Sequence, residues 1–210
     1  YELHASSTKG AVGLDGIRVS GGRATTTNGA IRVRDVSGER LSVSTTNGRV
    51  SCEDVHVKEL EASTTNGGVN WDGSALVAKL RTTNGGIRLA PNLPAAAHAG
   101  GNGHGEAVTG QYTAETTNAG IHVKLPVDPG LGVRFESRGR GIDLAVEDGQ
   151  FVFGGQSKEF GSHFMAAAPQ GYDGASRRMA LRLQTTNGSI RLESARPHRC
   201  DARDLHDDHD

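Results

Sequence analysis

Aromatic side chains are scarce in this chain, at 4% of residues, and the formal net charge is only −1. The first removes the rings on which single-stranded bases stack. The second removes the basic field that gathers a phosphate backbone. The sequence therefore speaks against nucleic-acid binding. No apolar run approaches the roughly 20 residues that a membrane-spanning helix needs. No signal peptide is visible either, but the chain opens on Tyr1 rather than Met, as a processed or trimmed protein would. The missing leader is thus no mark of the cytoplasm. Two cysteines, Cys52 and Cys200, make no disulfide framework. Cys52 follows Val50 at strand spacing and is expected as a buried thiol, whereas Cys200 lies in a charged tail. Hydrophobic residues reach only 35%, a thin supply for a layered core, while 30 of 210 residues are glycine. A fold that stacks short strands around a narrow, continuous core needs less apolar material per residue.

What the chain does have is a repeat. Thr-Thr-Asn-Gly occurs at Thr26–Gly29, Thr45–Gly48, Thr64–Gly67, Thr82–Gly85 and Thr185–Gly188, and Thr116–Ala119 is a sixth copy with Ala in the last place. Asn28, Asn47 and Asn66 are 19 residues apart, and Asn84 follows after 18. One period before Asn28 lies Lys9, in a degenerate copy, Ser7-Thr8-Lys9-Gly10. Before each motif apolar residues alternate, as in Leu41, Val43, Thr45 and Leu181, Leu183, Thr185. After it comes a second alternating strand, as in Ile31-Arg32-Val33, Ile87-Arg88-Leu89, Ile121-His122-Val123 and Ile190-Arg191-Leu192. Alternation of period two marks strands with one buried face.

Asn-Gly between two strands ordinarily signals a hairpin, because both residues tolerate positive φ. The fixed period points elsewhere. Hairpin arrays reverse direction at every turn and do not require the same residue at each one. In a solenoid each coil lies about 4.8 Å from the last, so identical residues stack into ladders, and an Asn amide can both donate to and accept from the next. The expected fold is therefore all-β, a parallel β-solenoid with coils of about 19 residues, coils following one another in chain order. Strand parity turns the first Thr inward and the second outward, with inner Thr and Asn ladders at one corner. The ladder positions are Asn28, Asn47, Asn66, Asn84, Asn118 and Asn187. A propeller blade needs about twice this period, and the Leu-x-x-Leu-x-Leu pattern of leucine-rich repeats is missing.

The expected organisation is one solenoid domain over residues 1–196 followed by a polar, structureless tail over 197–210. A Gly-rich loop at 94–110 interrupts it, and 126–180 forms irregular coils or a cap. All five Phe (Phe135, Phe151, Phe153, Phe160, Phe164) fall in that last stretch, where Ser137–Leu144 reads as a worn copy of the repeat.

Candidate chemistry is sparse. Gly103-His104-Gly105 resembles a short motif of pectin-cleaving hydrolases, but the paired Asp residues that acid and base catalysis would need on neighbouring coils are missing. Asp35 and Asp54 are 19 apart and Asp72 follows nearby; they are read as turn residues that cap backbone N–H groups rather than as a cation site. His198, Cys200, His206 and His209 match no zinc spacing. The outward Thr row supplies one Thr per coil, too narrow an array for ice binding. No metal or cofactor is expected, and no catalytic residue is assigned. The outward positions after the turn are basic, with Arg32, Arg34, Arg88, His122, Lys124 and Arg191, interrupted by Ser51, Asn70 and Asp143. Arg32, Arg88, His122 and Arg191 are the candidate binding residues, because guanidinium groups hold anions through charge-assisted hydrogen bonds.

The Thr-Thr-Asn-Gly-x-Ile cadence, with Leu125-Pro126 ahead of the worn copy and the closing Leu181–Leu192 run, resembles the bacterial β-strand-repeat "putative adhesin" family of unknown function (DUF4097-like). The resemblance spans about Ser7 to Glu193. It implies export or membrane attachment and a non-catalytic role in the bacterial cell envelope, periplasmic, membrane-attached or extracellular. The reading is thus an adhesive or scaffolding solenoid whose partner is an anionic glycan, a cell-wall polymer or another envelope protein. The rival is a carbohydrate-active enzyme, a polysaccharide lyase or hydrolase on a β-helix.

Overall fold

The computed structural model describes residues 1–93, 108–126, 131–145, 152–158, 161–167, 175 and 177–194; for 144–145 and the two segments between 152 and 167, only the backbone is described. The described chain is all-β. Three long strands come early, β2 (Val12–Thr26), β3 (Ile31–Thr45) and β4 (Val50–Thr64), preceded by the short β1 (Glu2–Ser7). Later coils divide the same path into shorter pieces: β5 (Val69–Ser74), β6 (Val77–Thr82), β7 (Ile87–Asn92), β8 (Val108–Thr116) and β9 (Ile121–Leu125). Then come β10 (Leu131–Arg138), β11 (Gly141–Ala145), β12 (Val152–Lys158), β13 (Gly161–Ala167), β14 (Arg177–Thr185) and β15 (Ser189–Ser194).

Every described pairing is parallel except those of β13 with β10 and β12. The register steps by one repeat, so Thr26 pairs with Thr45 and Thr45 with Thr64. Strands running into the Thr-Thr-Asn-Gly corner form an approach face, and strands leaving it form an exit face. Between them lies a narrow core of alternate residues, for example Ile31, Val33, Leu41 and Val43, all at most 1% exposed. The ring of Trp71 on the exit face meets that of Tyr112 on the approach face at 5.5 Å between centroids. Cys52 lies in the same core at 1% exposure, where burial pushes its thiol pKa up to about 12.

The corner itself keeps the inner Thr column and departs from expectation in where the Asn ladder lies. The first Thr of each motif is buried as strand parity requires and stacks in register, Thr26 beside Thr45 and Thr45 beside Thr64, although the stacked hydroxyls do not bond one another. Its hydroxyl donates to a carbonyl one coil back, as in Thr45 Oγ1 to Gly29 O at 2.9 Å and Thr64 Oγ1 to Gly48 O at 2.9 Å. The Asn ladder is present but lies outside: Asn47 Nδ2 donates to Asn28 Oδ1 at 2.7 Å, and the chain of bonds continues through Asn66, Asn84, Asn118 and Asn187, all exposed. Parity fails here because the corner is a turn, where side chains no longer alternate. No motif Asn or Gly has a left-handed φ. Glycine is needed for another reason: a Cβ on Gly48 would lie 1.9 Å from Gly29 O, and Gly67 and Gly85 meet the same obstacle. Left-handed φ appears instead at the bend of the exit strands, at Gly16, Asp35 and Asp54. This agrees with reading those Asp residues as turn formers, since Asp is among the few side chains tolerated there.

Chain order and stacking order separate at the far end. β14 pairs with β8 on one side and β10 on the other; β15 pairs with β9 and β11 in the same way. The last coil is therefore inserted between two coils that precede it in sequence, which corrects the expectation of sequential stacking. The corner chemistry explains the choice. Residues 185–188 are a full motif and extend the Asn ladder from Asn118, whereas the worn copy has no Asn to offer. Arg140 of the worn copy instead donates from Nη2 to Asn187 Oδ1 at 3.1 Å, closing the ladder.

Candidate functional site

The exit face carries the outward column that includes the candidate binding residues. Following the pairings across the sheet, it reads Gly13, Arg32, Ser51, Asn70, Arg88, His122, Arg191, Asp143. Insertion of the last coil places Arg88, His122 and Arg191 on three successive rungs. Arg32 lies three rungs from Arg88, about 14 Å away at the usual strand spacing. The structure thus gathers three of the four residues and leaves Arg32 apart.

Beside the three gathered residues runs a groove of about 410 Å³. Arg49, Asn70, Arg88, His122, Ser189 and Arg191 line it together with Gly68, Gly86 and Gly120. Each of those glycines immediately precedes an exit strand, and the paired residues Val69, Ile87 and Ile121 put them on three consecutive rungs. Ala30, Arg49 and Ser189 occupy the equivalent place in other coils. Arg49 and the glycine row are functional candidates that the residue-by-residue reading passed over. Their signal is visible in the sequence as Asn-Gly-Gly at 66–68 and 84–86, against Asn-Gly-Ala, Asn-Gly-Arg and Asn-Gly-Ser elsewhere.

The charges of the column are unevenly answered. Glu193 places Oε1 3.0 Å from His122 Nε2 and 3.7 Å from Lys124 Nζ, and Oε2 3.6 Å from Arg191 Nε. The His122 nitrogen is buried, and its approach to Glu193 is misaligned for a full hydrogen bond. Burial pushes the Glu193 pKa up, but the His122 contact and the charges of His122, Lys124 and Arg191 outweigh it, leaving the pKa below the ordinary value. Arg191 also lies 3.6 Å from Asp143 Oδ2. Arg49 and Arg88 form no ion pair among the described residues. Among the described residues the groove therefore holds two guanidinium groups without a carboxylate and a third, Arg191, shared loosely between two carboxylates.

Other constellations carry less. Glu193 and Asp143 flank Arg191 in the way that two carboxylates flank the bond in a glycosidase. A general acid needs a raised pKa, however, and that of Glu193 is lowered. Asp54 Oδ1 lies 2.8 Å from His56 Nε2, and His56 Nδ1 lies 2.8 Å from Ser74 Oγ. These are the residue types of a nucleophilic triad, but the Asp54 and His56 side chains are 70% and 52% exposed. Water at that exposure removes the low dielectric on which such a relay depends. No group of three metal-ligating side chains occurs among the described residues. Gly103-His104-Gly105, the His/Cys tail, and the loop at 94–110 apart from Val108–Gly110, lie outside the described residues.

The family model described as Toastrack DUF4097 matches residues 1–135. The chain belongs to the Toastrack family. The match runs from β1 into β10, so it contains the glycine row, Arg49, Arg88 and His122, and stops short of Arg191. No curated protein matches this Toastrack chain. Among solved structures it is similar to one from Clostridium sporogenes titled "putative cell adhesion protein", with 10% identity, a TM-score of 0.39, and coverage of 92% of this chain and 93% of that one. No helix of the Toastrack chain is long and apolar enough to cross a membrane, among the described residues.

Proposed function

We propose that this protein is a non-catalytic binding or scaffold module of the bacterial cell envelope, and that its exit face holds an anionic glycan or cell-wall polymer. The observation that carries the reading is the juxtaposition of Arg88, His122 and Arg191 on successive rungs beside a groove in which Arg49 and Arg88 have no carboxylate partner among the described residues. Guanidinium groups spaced along a rigid sheet meet a polyanion without reordering the backbone, so little of the binding energy is lost to ordering. Membership of a repeat family with an adhesin-like cadence supports the envelope placement. In this reading residues 1–196 act as a single solenoid domain and Arg32 is an outlying contact for a longer polymer.

The test is an array of neutral glycans, acidic glycans and cell-wall polymers, probed at low and high salt. Salt-sensitive binding to acidic polymers is expected, because exposed ion pairs are screened. The variant carrying Arg32→Ser, Arg88→Ser, His122→Ser and Arg191→Ser should fold and lose that binding. Silence across the array, or unchanged binding by the folded variant, overturns the site; capture of an envelope protein instead would reassign the face to a protein partner.

A further inference from the structure

Three consecutive glycines at one place in a repeat need a reason, and the backbone provides it only in part. Gly68, Gly86 and Gly120 have no left-handed φ. A Cβ on Gly86 would come no closer than 3.4 Å to any atom, an ordinary contact, whereas one on Gly68 would lie 3.1 Å from Gly86 O and one on Gly120 2.9 Å from Ser189 O. The same place accepts Ala at 30, Arg at 49 and Ser at 189. The contrast with Gly48, Gly67 and Gly85, where a Cβ would collide with backbone at 1.8–1.9 Å, marks Gly86 as a glycine the fold merely permits, while Gly68 is crowded and Gly120 is held by a close approach to backbone. Together the three remove side chains on successive rungs, Gly86 at the middle without a backbone reason, and this opens the groove between Arg49 and Ser189.

We propose that this glycine trough is a subsite for a short stretch of a carboxylate-bearing polysaccharide, with Arg88 taking the acid and the trough taking the sugar ring. This rests on the anion-binding reading above and goes further by naming the ligand chemistry. Arg88 offers a planar fork that matches a carboxylate in two parallel hydrogen bonds. Asn70 and Ser189 line the same groove with neutral groups that both donate and accept, as sugar hydroxyls require. Glu193 and Asp143 stand by Arg191 at one end and repel a densely charged chain, so the favoured polymer spaces its charges between neutral hydroxyls. A phosphate-bearing polymer satisfies the arginines but leaves the trough and the neutral groups without a purpose.

The experiment is calorimetric titration of the full chain with oligogalacturonides, with neutral malto-oligosaccharides and a poly(glycerol phosphate) as comparison probes. Three variants are needed: Arg88→Ser, Gly86→Leu and Gly86→Ala. Gly86→Leu fills the trough and leaves every charge in place. Its folding is checked by thermal melting, and Gly86→Ala, which adds one methyl group, stands in should the larger side chain unfold the coil. Wild-type protein should bind the oligogalacturonide alone. Arg88→Ser and Gly86→Leu should each weaken binding roughly tenfold or more. If Arg88→Ser weakens binding and a folded trough-filling variant does not, the trough is not a subsite and the anion-binding reading survives. Equal binding of the poly(glycerol phosphate) overturns the carboxylated sugar as ligand. No binding of any acidic probe overturns both readings together.

Discussion

Asn187 Nδ2 donates to Asn118 Oδ1 at 2.8 Å although 69 residues separate them in the chain. Elsewhere the ladder joins neighbours 18, 19 or 34 residues apart with the same geometry. One kind of bond thus serves both the regular coils and the long return that inserts the last coil. Each ladder Asn after Asn28 gives its Nδ2 backward along the stack, and each receives forward on its Oδ1, so an internal member has two partners to lose. Asn66→Ala removes its bonds to Asn47 and Asn84 while leaving its backbone N–H on Thr46 O. At about 1 kcal/mol for each bond, and less because the amides are exposed, the cost is about 1–2 kcal/mol. Thermal melting should register a fall of a few degrees, whereas Thr65→Ala, on the exposed position beside it, should leave the midpoint nearly unchanged.

The two classes of glycine make opposite predictions for the same substitution. Gly48→Ala drives a Cβ to within 1.9 Å of Gly29 O, and backbone on both sides must give way. A loss of about 3 kcal/mol or more is expected, at the top of the range for overpacking. Gly86→Ala meets nothing closer than 3.4 Å and should be neutral or slightly stabilising, since Ala restricts the unfolded chain. Chemical denaturation of the two variants side by side decides the matter. Equal effects would mean that the close approach at the corner is not what selects glycine. Ala119 occupies the motif glycine's place in one copy. There both Thr117 and Asn118 direct their N–H groups to Thr83 O, a pattern found at no other Thr-Thr-Asn corner among the described residues.

Much of the architecture could be read from the chain because the repeat is a physical statement: identical residues at a fixed period must stack. The inner Thr, the alternating core and the parallel register all follow from it. Two things did not follow. Strand parity stops at the corner, so the Asn ladder faces solvent. Stacking order is not chain order, because the worn copy at Ser137–Leu144 can close the ladder through Arg140 but cannot continue it. That second point also limits what the sequence could say about the site. Arg88, His122 and Arg191 share an outward parity that alternation reveals. Their presence on successive rungs depends on β15 lying beside β9, which no local pattern around Arg191 encodes. Glu193 was passed over for the same reason, since its contacts with His122 and Lys124 exist only across that pairing.

Insertion makes the last coil indispensable. Met179, Leu181, Leu183, Ile190 and Leu192 are all at most 2% exposed and sit between coils on both sides. Burying each such side chain contributes about 1.5–3 kcal/mol. Their joint loss is comparable with the whole stability of an ordinary domain, about 5–15 kcal/mol. Truncation after residue 176 should therefore abolish the cooperative melt and leave β8 and β9 with open edges that aggregate, as judged by circular dichroism and size-exclusion chromatography. A soluble, cooperatively melting product would mean that β10 and β11 can dock directly on β8 and β9.

The Glu193 carboxylate links the stability of this junction to pH. Its pKa is held below the ordinary value in the folded chain, burial being outweighed by His122, Lys124 and Arg191. A depressed carboxylate pKa stabilises the folded state above the unfolded pKa, and the contribution fades as pH falls through the folded one. Glu193→Gln should accordingly be less stable than the parent at neutral pH. The two proteins should converge once the pH falls below the folded pKa of Glu193, where both carry an uncharged group. The effect is small because the side chain is 24% exposed and its partners are screened by water. Paired denaturation curves from pH 7 down into the acid range measure it. A gap that stays constant across that range would assign the loss to packing rather than to charge, whereas a gap that closes on acidification identifies Glu193 as the anion that ties the exit strands β9 and β15 together.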